Sequence, residues 1–492
     1  MKKLTKTALI ILISVALSGI LSYFVRILLA NKLSLAQYGL FYAVYSLVFF
    51  FAPFRDLGLG EATVYFINKY LAKGDKNKIK GLFWMQFIPH MILAIFIICG
   101  FVLFKEYLVT SFFKDPESAF ILDSLLVLFF LEAFFAPITS IFIAFQDYAV
   151  NYVIGVIKMV VILMSTWILF TFNFTNYMVA PITYVIGGAV SSAIVIIVLI
   201  KKYGHIFEAK TEINNDLIKE VMDYAIPITF STAGGVILTY SDVIILTVMR
   251  GTEAVGLYNA AFPAINIILL AVTPLLAVIF PKISELYHAK KHKEIDSLVT
   301  QIYNNFLIFT LPLALIFAAY PKLIITVLFG TKFVGAENTL RVFALSFIFM
   351  VMRAINFGVV AGIGKARERS NILYIGAGAN VLLDVLFIPK FGPAGAAVAT
   401  GLGYIIMTIL TTRLIKKEYP FKPDYSLIFR TIICGLGFFV SVTLLKYLIN
   451  IQNAIAEAII VVVVSGIAYI ALLFLFRIFT KEKIRAFTKY LF

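Results

Sequence analysis

The chain has 492 residues, 62% of them hydrophobic and 14% charged, with a mean hydropathy of +0.99. Soluble domains run at about 45–50% apolar and about 25% charged, so both values exclude an ordinary soluble protein in the same direction. A net charge of +16 would point to nucleic acid in a soluble chain, but its placement assigns it elsewhere and no nucleic-acid partner is expected.

Apolar runs follow one another from residue 7 to residue 478 with no polar domain between them. The first, 7–33, follows Lys2, Lys3 and Lys6. It is too long for the apolar region of a signal peptide, contains Arg26 and leads straight into another apolar run, so it reads as a retained helix. Further spans follow at roughly 37–69, 81–104, 118–146, 150–172, 177–200, 221–248, 256–286, 298–320, 337–362, 370–389, 392–412, 427–448 and 456–478. Some, such as 81–104, carry no Asp, Glu, Lys or Arg over about the 20 residues a bilayer requires. The fold class is all-α: a polytopic membrane protein of about fourteen transmembrane helices.

With the N-terminus inside, roughly 29 of the 42 Lys and Arg fall on inner segments and 9 on outer ones. This positive-inside bias predicts both termini in the cytoplasm, and an even helix count requires that they agree. The excess charge is then topogenic and lies against anionic lipid.

At an offset of 217 residues the chain matches itself. Ser14-Val-Ala16 aligns with Ser231-Thr-Ala233, Tyr23 with Tyr240, and Gly39-Leu40 with Gly256-Leu257. Ala43 falls on Ala260, and Tyr70-Leu-Ala72-Lys73 on Tyr287-His-Ala289-Lys290. The offset covers six helices, an even number, so both halves enter the membrane from the same side. That is a parallel pseudo-twofold repeat of the kind in which two lobes rock about a central cavity. Residues 1–205 form the first lobe, 206–220 a basic cytoplasmic linker, and 221–415 the second lobe. Residues 416–492 add two helices and a basic tail. Residues 456–476 are almost wholly apolar, with Ser465 and Tyr469 as polar handles, which suits contact with a long lipid tail.

Three motifs carry a family resemblance. The second helix has Tyr38-Gly39-Leu40-Phe41 and Asp56-Leu-Gly58-Leu-Gly60. Helix seven has Pro227 and Asp242, followed by Val255-Gly256-Leu257-Tyr258-Asn259-Ala260-Ala261. Later, Asn380-Val-Leu-Leu-Asp384 runs into Ile388-Pro389-Lys-Phe391-Gly392-Pro-Ala-Gly395-Ala396-Ala397, with Asp384 where an apolar or amide residue is expected. Together these resemble the polysaccharide-export flippases of the multidrug/oligosaccharidyl-lipid/polysaccharide (MOP) exporter superfamily. The resemblance implies transfer of a polyprenyl-pyrophosphate-linked oligosaccharide from the cytoplasmic to the outer leaflet of the cell membrane. It further implies membrane lipids as partners, a coupling ion (sodium or proton) left open, and a monomer. The alternatives are a cation-coupled multidrug antiporter of the same superfamily and a membrane glycosyltransferase or polymerase. The longest outer loops, of about 13 and 16 residues, hold no clustered carboxylates, so no enzyme activity is expected.

Ionisable groups inside a bilayer cost about 2.5–3.5 kcal/mol each on insertion scales and usually face a cavity. Arg26, Arg55, Lys158 and Arg353 are the candidate substrate-binding cations, because a pyrophosphate suits the planar Arg fork. Asp56, Glu132 and Asp242 are coupling or structural polar groups. A clasp of Arg55 with Asp56 or Glu61 competes with the ligand role, and Arg26, near the outer face, could simply snorkel. Counted from their shared loop, Glu132 lies about 15 residues back and Lys158 about 8 forward. That depth difference of about 10 Å argues against a direct bridge. Pro53, Gly58 and Gly60 predict a kinked second helix beside Arg55. Tyr23, Tyr42, Tyr45, Tyr240 and Tyr258 could line a cavity and stack on sugars. His90, His205, His288 and His292 are scattered without metal-ligand spacing, and Cys99 and Cys434 sit in apolar runs, so no metal or other cofactor is expected. No P-loop spacing occurs, so the chain is not expected to hydrolyse ATP.

Overall fold

The computed structural model describes residues 2–174, 176–449 and 451–478. The Lys2, Lys3 and Lys6 side chains, the Ser231 side chain of the repeat match and the basic tail from residue 479 lie outside the described residues. Among those described there is no strand. The helices are α1 (Lys2–Lys32), α2 (Leu35–Phe50), α3 (Ala52–Asp56), α4 (Leu59–Leu71), α5 (Lys76–Leu103), α6 (Lys105–Tyr107), α7 (Ser118–Ala144), α8 (Tyr148–Thr171) and α9 (Val179–Tyr203). They continue as α10 (Asn215–His288), α11 (His292–Ala319), α12 (Pro321–Phe329), α13 (Glu337–Gly362), α14 (Ala366–Phe391), α15 (Pro393–Glu418), α16 (Tyr425–Leu448) and α17 (Ala454–Leu475).

Among the described residues, 13 helical segments are long and apolar enough to cross a membrane, against the fourteen expected. The difference falls at α10, which joins the expected spans 221–248 and 256–286 without an intervening loop. Its backbone leaves helical geometry only at Gly251, at φ 78° and ψ −177°. The chain is a multi-pass membrane protein with this fold class. The end of the linker, from Asn215, is already part of α10.

Capping sets several helix starts. Ser34 and Gln37 form a capping box on α2, and the carboxylates of Asp75 and Asp424 accept from the first turns of α5 and α16. Lys80 Nζ donates to the carbonyls of Phe207 and Ala209 (2.8 and 2.9 Å), and Lys210 N–H donates to Asn77 Oδ1 (3.1 Å). The linker is thereby tied to the start of α5.

The chain divides into two compact units, residues 1–259 and 260–492. In the first, α5 packs on α7, α7 and α8 each on α9, and α1 on α8. In the second, α11 packs on α13, and α13 and α14 each on α15. Each of the first three pairings has its counterpart 217 residues later, so the sequence repeat is a repeat of packing.

One contact inside the first unit expresses the repeat directly. A Cβ on Gly39 would fall 1.8 Å from the carbonyl oxygen of Thr252, and one on Gly256 would fall 2.7 Å from that of Leu35. Gly39 and Gly256 are repeat equivalents, and so are Leu35 and Thr252. The contact is therefore self-complementary, as a twofold axis between the two helices demands.

In the second unit, α16 packs on α11 and α17 on α16. The residues α17 buries, Val461, Ser465, Tyr469 and Leu473, recur at four-residue spacing and form one stripe. Ser441 donates to Ser465 (3.1 Å) and the Tyr469 hydroxyl to the carbonyl of Ile308 (3.0 Å). Both polar handles of α17 thus face protein, while Ile459, Ile467 and Leu475 stay exposed.

Candidate functional site

The motif Asp56-Leu-Gly58-Leu-Gly60 breaks the second helix, as its Pro and Gly content predicts. Leu57 (φ 48°) and Gly58 (φ 70°) are both left-handed, which ends α3 and restarts the chain as α4. A left-handed leucine costs roughly 1–2 kcal/mol, the kind of strain that surrounding structure must hold. Gly58 has no alternative, because a Cβ there would lie 2.3 Å from the carbonyl of Ala225. The break turns Asp56 onto the start of α4, where its carboxylate accepts from Gly60 N–H (3.2 and 3.3 Å). The positive end of the helix dipole favours that charge.

Arg55, in the last turn of α3, points the other way and is 6% exposed. Its Nη1 donates to the carbonyl of Phe129 (2.6 Å), its guanidinium lies 4.3 Å from the Phe129 ring centroid, and Nη2 is 3.9 Å from Glu132 Oε2. The alternative clasp with Asp56 or Glu61 is therefore replaced by contacts with α7. Lys158 Nζ lies 2.5 Å from Glu132 Oε1, so the direct bridge that helix counting disfavoured is present. The connection between α7 and α8 is only three residues, from Phe145 to Asp147. Measured from the true helix ends, Glu132 lies about 12 residues back and Lys158 about 10 forward, a depth difference of about 3 Å that a lysine stem easily spans. Arg55, Glu132 and Lys158 form one charge cluster, with the carboxylate between two cations.

Arg26 does not snorkel. Its guanidinium stacks over the Tyr42 ring at 4.3 Å, with Tyr23, Tyr38 and Tyr184 close enough to act on its charge. Arg26 Nη1 and the hydroxyls of Tyr23 and Tyr42 are buried polar atoms that make no hydrogen bond among the described residues. An aromatic run links this corner to Arg55: Tyr42 meets Phe41, Phe41 meets Tyr45, Tyr45 stacks on Phe49 at 4.4 Å, and Phe49 meets Phe129.

In the second unit Arg353 is flanked by the rings of Tyr404 (4.9 Å) and Phe357 (5.2 Å), and its buried Nε likewise makes no hydrogen bond. Asp242, in the first unit, is buried and accepts from the Tyr258 hydroxyl, which supplies the structural partner. The cations thus occupy three settings: Arg26 among tyrosines, Arg55 with Lys158 around Glu132, and Arg353 between rings.

An open cleft of about 820 Å³ in the first unit is lined by Asp56, Glu61, Tyr65, Gln86, Ser140 and Tyr224, among others. The Tyr65 and Tyr224 rings stack at 4.7 Å. One feature escaped the reading of the sequence. His90, one of four scattered histidines, is 1% exposed, with Nδ1 3.6 Å from Asp56 Oδ1. Asn380 and Asp384, one turn apart on α14, and Thr400 on α15 are all buried in the second unit. The first two belong to the third family motif, which thus lies inside the second unit. No group of three or more metal-ligating side chains occurs among the described residues.

The family model described as polysaccharide biosynthesis protein matches residues 4–287, more than half of the chain. An uncharacterised membrane protein of Methanocaldococcus jannaschii is 30% identical over 475 residues, covering 93% of this chain and 92% of that protein. A probable low-salt glycan biosynthesis flippase of Haloferax volcanii is 23% identical over 208 residues, covering 42% of this chain and 44% of its own. Among solved structures, the lipid II flippase MurJ in an inward closed conformation superposes with a TM-score of 0.77, covering 95% of this chain and 99% of that one at 15% identity. At that identity the likeness speaks for the fold.

Proposed function

The chain belongs to the polysaccharide biosynthesis protein family, and from that premise we propose that it is a flippase-type transporter of the MOP exporter superfamily that moves a polyprenyl-pyrophosphate-linked oligosaccharide from the cytoplasmic to the outer leaflet of the cell membrane. The observation that carries the reading is the Arg26 corner. A buried guanidinium nitrogen and two tyrosine hydroxyls, none making a hydrogen bond among the described residues, gather around one buried charge. Buried donors without acceptors cost about 1–3 kcal/mol each, and an anionic ligand with several oxygens recovers that cost. Arg353, with its own buried Nε, is the candidate assisting cation of the second unit. Lys158 and Arg55 assist once Glu132 shares them with the head group, and motion of residues 1–205 against 221–415 would give alternating access.

The test is flipping of a fluorescent lipid-linked oligosaccharide by the purified protein in proteoliposomes. Arg26→Ala lowers the rate at least about 50-fold, or about 2.3 kcal/mol at about 1.4 kcal/mol per tenfold. Arg26→Lys keeps the charge and loses the fork, so it retains an intermediate rate. Wild-type flipping by a correctly inserted Arg26→Ala protein overturns the assignment.

The same reading places both termini in the cytoplasm. Asn77, which bonds the linker through its side chain, and Thr331 are both exposed. In a cysteine-free background, Asn77→Cys on intact cells stays unlabelled by a membrane-impermeant thiol reagent and Thr331→Cys is labelled. The reverse pattern inverts the topology.

A further inference from the structure

We propose that Asp56 and His90 form a proton-binding pair in the wall of the cleft, and that its occupancy sets how strongly the cleft favours an anion. The pair sits where an open, water-sized space meets a buried ring. The Asp56 side chain is 32% exposed and lines the cleft, whereas His90 is buried behind it on α5. Neither ring nitrogen of His90 makes a hydrogen bond among the described residues. One helical turn back on the same helix, Gln86 donates through Nε2 to Ser140 Oγ (3.1 Å), but its buried Oε1 has no donor. A buried imidazole that makes no hydrogen bond and a carboxylate 3.6 Å away form a place where a proton can be shared. Protonation turns both ring nitrogens into donors and gives Asp56 a charged partner. The proton has a route, from water in the cleft to the exposed face of Asp56 and then across to Nδ1.

The surrounding charges define the consequence. The elements packed on α5 bring Arg55 and Asp56 from α3, Glu61 and Lys69 from α4, and Glu132 and Asp123 from α7. Asp123 is paired with Lys105 and Lys69 with Glu220, which leaves Asp56 and Arg55 as the charges facing His90. With His90 neutral, Arg55 and Lys158 balance Glu132 and Asp56. One bound proton leaves that set with one net positive charge. Linkage then requires that an anionic head group and the proton strengthen each other's binding. This second step rests on the pyrophosphate reading, whereas the proton pair does not.

The experiment uses the full chain in detergent with ¹³Cε1-labelled histidine. Replacing the exposed His205, His288 and His292 together with Gln leaves His90 as the single reporter, and a His90→Gln protein confirms its signal. We expect one titration between pH 5 and 8, with its midpoint displaced by about one pH unit or more in Asp56→Asn. Farnesyl pyrophosphate added to weakly buffered protein should then draw up to about one proton per molecule bound, and none in His90→Gln. A His90 signal that stays flat across that range, or one that ignores Asp56→Asn, overturns the pair. Binding of farnesyl pyrophosphate without proton uptake overturns the coupling. Normal titration with no binding of the probe supports the pair and counts against the pyrophosphate reading instead.

Discussion

Arg55→Ala should flip no measurable lipid in proteoliposomes, a loss of at least about 100-fold or about 2.7 kcal/mol in the barrier. Arg55 holds two things at once, the Phe129 carbonyl at 2.6 Å and the Glu132 carboxylate at 3.9 Å. Lysine has a single nitrogen and can keep one of them, so Arg55→Lys should transport at an intermediate rate. Removing one partner of a buried pair usually costs about 3–5 kcal/mol of stability, because the other charge is left alone. Here Lys158 remains on Glu132 at 2.5 Å, so the Arg55→Ala protein should still insert and elute as a single species. The double variant Arg55→Ala/Glu132→Gln decides what the arginine is for. If Arg55 only neutralises Glu132, removing both restores transport. If Arg55 contacts the head group once Glu132 shares it, the double variant stays inactive. Restored transport in the double variant would retire the head-group role.

The membrane class, the repeat and the helix break at residues 57 and 58 were legible because each is written in local or periodic chemistry. Apolar runs need only length, a repeat only register, and a broken helix only Pro53 and the glycines around Asp56. Pairing was harder, because it depends on where helices end. The loop between α7 and α8 lies two residues earlier than expected, at 145–147 rather than 147–149, and that brought Glu132 level with Lys158. The partner of Arg55 lies on α7, 74 residues along the chain, while nearer carboxylates at 56 and 61 competed for it on paper. Asp56 was then occupied differently, capping α4 because the helix restarts one residue after Gly58. His90 was invisible for a related reason: nothing in the apolar run Phe87-Ile-Pro-His90-Met91 tells which face meets α3. The span count differed at α10, where Arg250-Gly251 marks the boundary but the chain makes its turn within one residue, with no loop to separate two helices.

Gly39→Ala should be the most damaging single methyl in the protein, lowering the melting temperature in detergent by more than about 10 °C or abolishing a monodisperse species. The added Cβ would sit 1.8 Å from the Thr252 carbonyl oxygen and 2.7 Å from Gly256 N, both backbone atoms that cannot rotate away. Relief requires the two helices to part by more than an ångström along the contact, and overpacking of that kind costs typically about 1–3 kcal/mol and occasionally more. Here the larger figure applies, since separation also loosens the packing around Gly256 and Leu35 on the other side of the same axis. Small residues let backbones approach, and between membrane helices close packing replaces the missing hydrophobic drive. Gly256→Ala meets Leu35 O at 2.7 Å and should cost less, with the same sign. Gly100→Ala is the control: it lies in the helix α5 with nothing within 4 Å, so a Cβ there should be neutral or slightly stabilising through helix propensity. A Gly39→Ala protein that melts with the Gly100→Ala control would mean that the repeat-related helices do not touch at these glycines. The self-complementary contact would then have no part in holding the two halves of the repeat in register.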